Sequence, residues 1–238
     1  MFRSVIKKVL NLGDILVFTK NFCYEKLRFL LKTDSKIIQD YFSNNKVRKL
    51  NIGAGGASMS GWLNSDIEPK LKGILYLDAT QDFPIEDNSF DYIFSEHMIE
   101  HITYNDAKRM ISECFRILKP GGVIRISTPD LSFLVDLYKD NKSEVQTQFI
   151  RHSTDTWLDT PYSSVFVINN YVRAWGHQFI YDSEVLCNLL KQFGFAKINT
   201  FQVLESNDKQ LQNLENVQRK PQGLIELESL SMEGTKPI

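Results

Sequence analysis

From residue 47 onward the chain alternates short apolar runs with stretches of helical period, the pattern of a parallel sheet with helices on its faces. Val47–Ile52, Trp62–Ile67, Ile74–Leu77 and Phe90–Phe94 predict four strands, parted by turn signals at Gly55-Gly56, Pro69 and Asp87-Asn88. Ala107, Met110, Ile111, Cys114, Phe115 and Leu118 then line one face of a helix. Thr103 and Asp106 stand where its N-terminus needs capping, and Pro120-Gly121-Gly122 stands where it should stop. Val123–Ser127 predicts a fifth strand. Leu131, Leu134, Val135 and Tyr138 suggest another helix, but Asn141–Trp175 is polar and aromatic without a clean period and reads as an insertion at about 140–176. Order returns at Asp182, which caps a helix through Val185, Leu186, Leu189, Leu190 and Phe193 that ends at Gly194. Lys197–Leu204 and Leu224–Met232 predict the last two strands. The expected fold is α/β, a doubly wound, mostly parallel sheet of seven strands with an inserted cap.

Residues 1–45 stand apart as an N-terminal helical extension to a domain at 46–238. Phe2, Val5, Ile6, Val9 and Leu10 form a helical stripe, with Arg3, Lys7 and Lys8 off it. Asn11, Gly13 and Asp14 break the apolar run that a secretion signal would need. Residues 1–32 carry a local charge of +5, against −1 for all 238 residues. Two readings fit: a basic amphipathic helix in peripheral contact with an anionic membrane surface, or a helix packed on its own domain. The first would put a cytoplasmic protein at the inner face of the membrane.

Composition narrows the function further. With 42% apolar and 24% charged residues the chain is that of a folded protein. The absence of net positive charge argues against nucleic acid held through its phosphates. The longest uncharged stretch, Leu50–Ser65, is too short and glycine-rich to span a bilayer. Cys23, Cys114 and Cys187 are scattered without a C-x-x-C pair, and read as reduced thiols.

Ligands of open parallel sheets bind at the carboxyl ends of the strands. There the first strand runs into Asn51-Ile52-Gly53-Ala54-Gly55-Gly56, a loop whose missing side chains let a ligand approach the backbone, and which has no phosphate-binding lysine. The second strand ends at Asp66, an acid placed to accept hydrogen bonds from ribose hydroxyls. The third ends at Asp78 and the fourth at Ser95-Glu96-His97. Successive polar strand ends beside a glycine loop describe a nucleoside-shaped site, though each acid taken singly could serve only as a cap.

These residues resemble class I S-adenosylmethionine-dependent methyltransferases. Asn51-Ile52-Gly53-Ala54-Gly55, Asp66 and Leu77-Asp78-Ala79 look like the first three motifs, Phe83–Asp91 and Leu118-Lys119-Pro120-Gly121-Gly122 like the next two. Ser95-Glu96-His97 through Trp175-Gly176-His177 to Tyr181-Asp182 more loosely resembles a bacterial subgroup associated with surface-polysaccharide synthesis. The resemblance implies a Rossmann-like fold and S-adenosylmethionine as cofactor. It places Gly53, Ala54 and Gly55 against the methionine moiety, Asp66 on the ribose, Ile67, Asp78 and Ala79 at the adenine, and Ser95 and Glu96 at the fourth strand. Asn51 replaces the usual acid. Only Ala54–Trp62 separates the first two predicted strands, too few residues for an ordinary crossover helix.

The acceptor would be small or glycan-linked and methylated on oxygen, with His97 or His177 as general base. His97-Met98-Ile99-Glu100-His101 also matches the H-x-x-E-H pattern of zinc hydrolases, which would put His97 and His101 on one helix face. No third ligand is evident from sequence, so no metal set is assigned. Trp157, Tyr162, Phe166, Tyr171, Trp175, Phe179 and Tyr181 crowd the insertion, either as a sugar-binding cleft or as a satellite core. A binding module that keeps this fold without catalysis is the remaining alternative.

Overall fold

The structure is a computed structural model that describes residue 28, residues 30–56 and residues 58–238. The amphipathic stripe expected at residues 2–10 and the basic segment to residue 27 lie outside the described residues. The chain divides into residues 1–46 and residues 47–238. In the first unit α1 (Thr33–Asn44) follows Lys32, and Ser43 and Asn44 bond back to the carbonyls of Gln39 and Asp40. No helix among the described residues is long and apolar enough to cross a membrane.

The second unit is built on one seven-stranded sheet: β1 (Lys49–Ile52), β2 (Leu63–Asp66), β3 (Leu75–Tyr76), β4 (Phe90–Glu96), β5 (Leu118–Pro129), β6 (Ala196–Phe201) and β7 (Ser229–Thr235). Their order is β3-β2-β1-β4-β5-β7-β6, with β7 antiparallel to both neighbours and the other pairs parallel. The expected α/β fold is met. The helices are α2 (Tyr104–Ile117), α3 (Leu131–Asp136), α4 (Glu144–His152), α5 (Ser164–Arg173), α6 (Ser183–Gln192) and α7 (Leu224–Glu228).

α2 forms where its stripe predicts. Thr103 accepts from the Asp106 N–H, and Ala107, Met110, Ile111, Cys114 and Ile117 are buried. Pro120-Gly121-Gly122 does not separate helix from strand as expected: β5 begins at Leu118 and runs through it. The residues of the last two motifs prove to be joints. Lys119 pairs with Asp91 at 2.8 Å, and the Arg116 guanidinium bonds the carbonyls of Phe83 and Ile85 and the carboxylate of Asp87. A Cβ on Gly122 would lie 2.9 Å from the Lys119 carbonyl and 3.0 Å from that of Asp91. Lys236 reaches the carbonyls of Phe115 and Leu118 at 2.8 and 2.7 Å, closing the end of α2.

Two expectations need correction. Leu224–Met232 is not one strand: Leu224–Glu228 is α7, and β7 starts at Ser229. Alternating apolar residues in so short a run suit either state, and Gly223 in the left-handed region starts the helix (φ 82°). The stretch Asn141–Trp175 is not irregular either. It holds α4, a π-helical turn (Ser153–Leu158) and α5. Phe133, Leu137, Phe149, Ile150, Val167, Tyr171 and Leu224 form a core beneath this cap.

Residues 53–62, between β1 and β2, carry no helix among the described positions. The sheet surface this leaves is covered from elsewhere. Trp62 and Phe94 pack with Leu211, flanked by Met59, Tyr92, Val123 and Leu214. The covering segment, residues 202–223, is fastened by a fully buried Arg125 on β5. Its guanidinium pairs with Glu215 at 2.6 Å and Glu233 at 2.7 Å and bonds the Glu205 carbonyl at 2.8 Å. Tyr92 donates to Asp208 at 2.7 Å as a second fastening, and burial followed by that bond pushes its phenol up to about 12.

Removing one member of a buried ion cluster strands its partners. Arg125→Met should therefore lower stability by about 3–5 kcal/mol in urea unfolding. Tyr92→Phe should cost about 1 kcal/mol at neutral pH. Because the folded phenol titrates above its ordinary value of 10.0, this contribution is full below pH 10 and fades as pH rises through about 12. The gap between wild type and Tyr92→Phe in unfolding curves should close over that range.

Candidate functional site

Gly53, Asp66 and Glu96 stand at the carboxyl ends of the adjacent strands β1, β2 and β4, with Ile52 in register with both Ser65 and Ser95. Asp78 lies just past the end of β3, where its carboxylate accepts from Thr80 N–H at 2.9 Å. Ile67 is exposed next to Asp66, and Ala79 is buried next to Asp78. The sequence-predicted nucleoside residues thus share one edge of the sheet.

Their detailed chemistry differs from the expectation at the glycine loop. The N–H groups of Gly53 and Ala54 donate to the Ser65 carbonyl at 3.0 and 2.9 Å, and that of Gly55 donates to Asp66 at 2.7 Å. The loop therefore offers a ligand its lack of side chains, not spare donors. Nothing lies within 4 Å of a Cβ built on Gly55 or Gly56. At Gly53 (φ 78°) such an atom would collide with Met98, so glycine there admits the Met98 side chain. Asn51 is buried and donates to Asn64 at 3.1 Å; Asn64 in turn holds Met59 N and O. Asn51 thus braces the helix-free loop.

Each Asp66 oxygen accepts one backbone N–H, from Gly55 and Glu68, and keeps a second lone pair for a diol. The Ser95 hydroxyl is buried at the end of β4 without a hydrogen-bond partner among the described residues. An orphaned hydroxyl and an acceptor-only carboxylate beside an open glycine turn fit a ribose-bearing cofactor. Glu96 accepts from Asn216 N at 3.0 Å and from Arg219 at 2.8 Å, which binds the covering segment to the strand end. Burial raises its pKa, against the pull of Arg219.

Beside these strand ends lies a cavity of about 490 Å³. It is lined by His97, Glu100, His101 and Pro129 at the ends of β4 and β5, by Trp157, Tyr171, Trp175 and His177 from the cap, and by Arg219, Lys220 and Glu228. Of the sequence candidates, His97 and His177 reach it, and the glycine loop does not. His97 sits in the left-handed region (φ 46°); its Nε2 bonds Ser229 Oγ at 3.2 Å, and its Nδ1 lies 3.3 Å from Glu100 Oε1 without making a hydrogen bond. His97 and His101 do not share a helix face: only Ile99–His101 forms a 3-10 turn, with His97 outside it. That geometry removes the zinc-hydrolase arrangement expected from H-x-x-E-H. His177 Nδ1 lies 2.7 Å from the Tyr171 carbonyl. Burial, offset in part by Glu100, lowers its pKa.

The sequence reading missed Lys220 and Glu228. Lys220 extends from the covering segment into the cap, where its amine meets Glu228 and donates to Tyr171 OH at 2.7 Å. The rings of Trp157, Phe149 and Tyr171 surround it at 4.7, 4.9 and 5.4 Å. Burial lowers the Lys220 pKa to about 7, with Arg219 adding to the effect. Burial also raises that of Glu228, helped by Glu100 and Glu96. No local signal marks Lys220, since Tyr171 and Trp157, which enclose its amine, come from far earlier in the chain. Of the aromatic crowd, Tyr171 belongs to the cap core, as the satellite-core reading expects, and Trp157, Tyr171 and Trp175 also wall the cavity.

An amine titrating near 7 reacts with acylating reagents in water at neutral pH, where ordinary lysines are protonated. Peptide mapping after brief acetic anhydride treatment should give Lys220 a half-maximal labelling pH near 7, well below that of surface lysines.

Comparison with known proteins centres on the strand-end region. Residues 50–126 match the family model described as a methyltransferase domain. Over 49 residues the chain is 43% identical to a probable S-adenosylmethionine-dependent methyltransferase of Mycolicibacterium smegmatis, covering 21% of this chain and 18% of that protein. Over 45 residues it is 44% identical to phosphoethanolamine N-methyltransferase 2 of Caenorhabditis elegans, covering 19% of this chain and 10% of the relative. The matched part is thus less than a fifth of either relative's length. Among solved structures, an S-adenosylmethionine-dependent methyltransferase from Archaeoglobus fulgidus aligns over 90% of this chain and 99% of its own at 16% identity, with a TM-score of 0.47. The similarity of residues 50–126 is to methyltransferase domains, and it covers β1 to β5, the strands whose ends carry Gly53, Asp66, Asp78 and Glu96.

Proposed function

We propose that the protein transfers a methyl group from S-adenosylmethionine to an oxygen of a small or glycan-linked acceptor. The observation that carries this reading is the shared edge of Gly53, Asp66, Asp78 and Glu96 at successive strand ends, inside the stretch that matches methyltransferase domains. Asp66 holds the ribose hydroxyls, Ser95 gives its unspent hydroxyl to the cofactor, and the open turn at Gly55 and Gly56 admits its backbone-side atoms. Bound there, S-adenosylmethionine supplies a methyl group on a positively charged sulfur.

The chain's part is then to place an acceptor in line and keep water away. The cavity supports this, because Trp157, Tyr171 and Trp175 present apolar faces that suit the faces of a sugar ring. An acceptor hydroxyl must also lose a proton. Lys220, which lines the cavity and has a pKa near 7, suits that role beside His97 and His177.

Binding is tested by thermal shift with S-adenosylmethionine and S-adenosylhomocysteine on wild type, Asp66→Asn and Asp66→Ala. At a hundredfold excess over Kd the wild type should gain about 2.7 kcal/mol. Both variants should lose most of that gain. No shift in the wild type would leave a non-catalytic module, and an undiminished shift in both variants would remove the ribose assignment.

A further inference from the structure

We propose that Glu100, His101 and His177 form a binding site for a divalent transition-metal ion of the zinc type at the floor of the cavity. One carboxylate oxygen of Glu100 and one ring nitrogen from each histidine lie within 4.8 Å of one another. Two imidazoles and a carboxylate are a nitrogen and oxygen donor set suited to zinc and its late first-row neighbours. About one ångström of convergence would bring such atoms to bonding distance of a single ion, since zinc–ligand bonds are about 2.0–2.2 Å.

Three independent features support the assignment. The first is charge. Three carboxylates border the cavity region, and two have a cationic partner: Glu96 has Arg219, and Glu228 has Lys220. Glu100, fully buried, has no lysine or arginine partner among the described residues and pairs only with His97. Its Oε1 lies 3.3 Å from His97 Nδ1 without the alignment of a hydrogen bond and is unsatisfied among the described residues. A buried anion in that setting calls for a cation.

The second feature is tautomer control. The Tyr171 carbonyl can only accept, so its 2.7 Å contact puts the His177 proton on Nδ1 and leaves the Nε2 lone pair for a ligand. Thr128 similarly holds Glu100 Oε2 at 3.0 Å, leaving Oε1 for the ion. The third is rigid placement. Gln178 N and Phe179 N donate to the Glu100 carbonyl at 2.7 and 3.3 Å, and the Gln178 side chain donates to the His101 carbonyl at 2.9 Å. These bonds tie the strand-end turn to the cap and set the two imidazoles at a centroid distance of 4.8 Å. The ligand His177 comes from the cap, 77 positions from Glu100, so the H-x-x-E-H motif contributes only its last two members as ligands. His97 bonds beside Glu100 instead.

The remaining coordination positions open on the cavity, where an acceptor oxygen can bind; this last step alone rests on the methyl-transfer reading. The site itself is tested without cofactor or acceptor. Full-length protein stripped with a chelator is titrated with zinc chloride by calorimetry and with cobalt chloride by visible absorption. One equivalent should bind, with cobalt bands of a nitrogen and oxygen site. His101→Ala and His177→Ala should each weaken zinc binding by at least about tenfold, and Glu100→Gln should shift the cobalt spectrum. His152→Ala, which removes a histidine outside the set, should bind as wild type does. Circular dichroism identifies any variant that fails to fold, and for that one His→Gln replaces His→Ala. No saturable equivalent in the wild type, or undiminished binding in folded His101 and His177 variants, would overturn the site.

Discussion

A charged side chain locked in the sheet governs the arrangement around the cavity. Arg125 sits on β5 with no exposure and is neutralised by Glu215 and Glu233. Burying a guanidinium is tolerable only with partners this close, so Glu215 has little freedom to be elsewhere. Once Glu215 is fixed, its neighbours follow: Asn216 and Arg219 reach Glu96 at the end of β4, and Lys220 reaches Glu228 and the aromatic box of the cap. One ion cluster in the sheet thereby positions a wall of the cavity.

The reason such a fastening is needed lies at the start of the sheet. The connection from β1 to β2 is too short for a helix, which leaves Trp62 and Phe94 in want of cover. Leu211 and Leu214 supply it from a segment late in the chain. That segment is largely polar, and directional bonds from Arg125 and Tyr92 hold it in addition to its apolar contacts. The Asn51–Asn64 pair serves the same shortened connection from the other side, holding Met59 where a helix would otherwise organise the chain.

The cavity combines surfaces of opposite demand. Trp157, Tyr171 and Trp175 offer apolar faces, while Glu100, Glu228, Lys220 and three histidines bring titratable groups into the same low-dielectric space. Desolvation there moves Lys220 and His177 down and Glu228 up, each toward its uncharged form. Left-handed backbone at His97 and Trp175 (φ 46° and 55°) marks the same place as one where the chain is held in costly conformations by its surroundings.

Local pattern was enough for the strands, the long helices and the edge on which Gly53, Asp66, Asp78 and Glu96 stand. Alternation and helical period are properties of neighbouring residues, and the order of parallel strands puts their ends together. It also pointed to the shortened crossover, because so few residues leave room for a turn or two of helix at most. The cap helices escaped notice because their apolar stripes are short and mixed with aromatic and polar residues. The strand expected at Leu224–Met232 was half wrong because Gly223 starts a helical turn before β7. The surroundings of Arg125 and Lys220 lay beyond the reach of sequence, since Arg125 pairs with residues about ninety or more positions on and Lys220 meets rings about fifty or more positions back. Only folding decides which buried charge meets which, for desolvation and Coulomb attraction act through space and take no account of order along the chain.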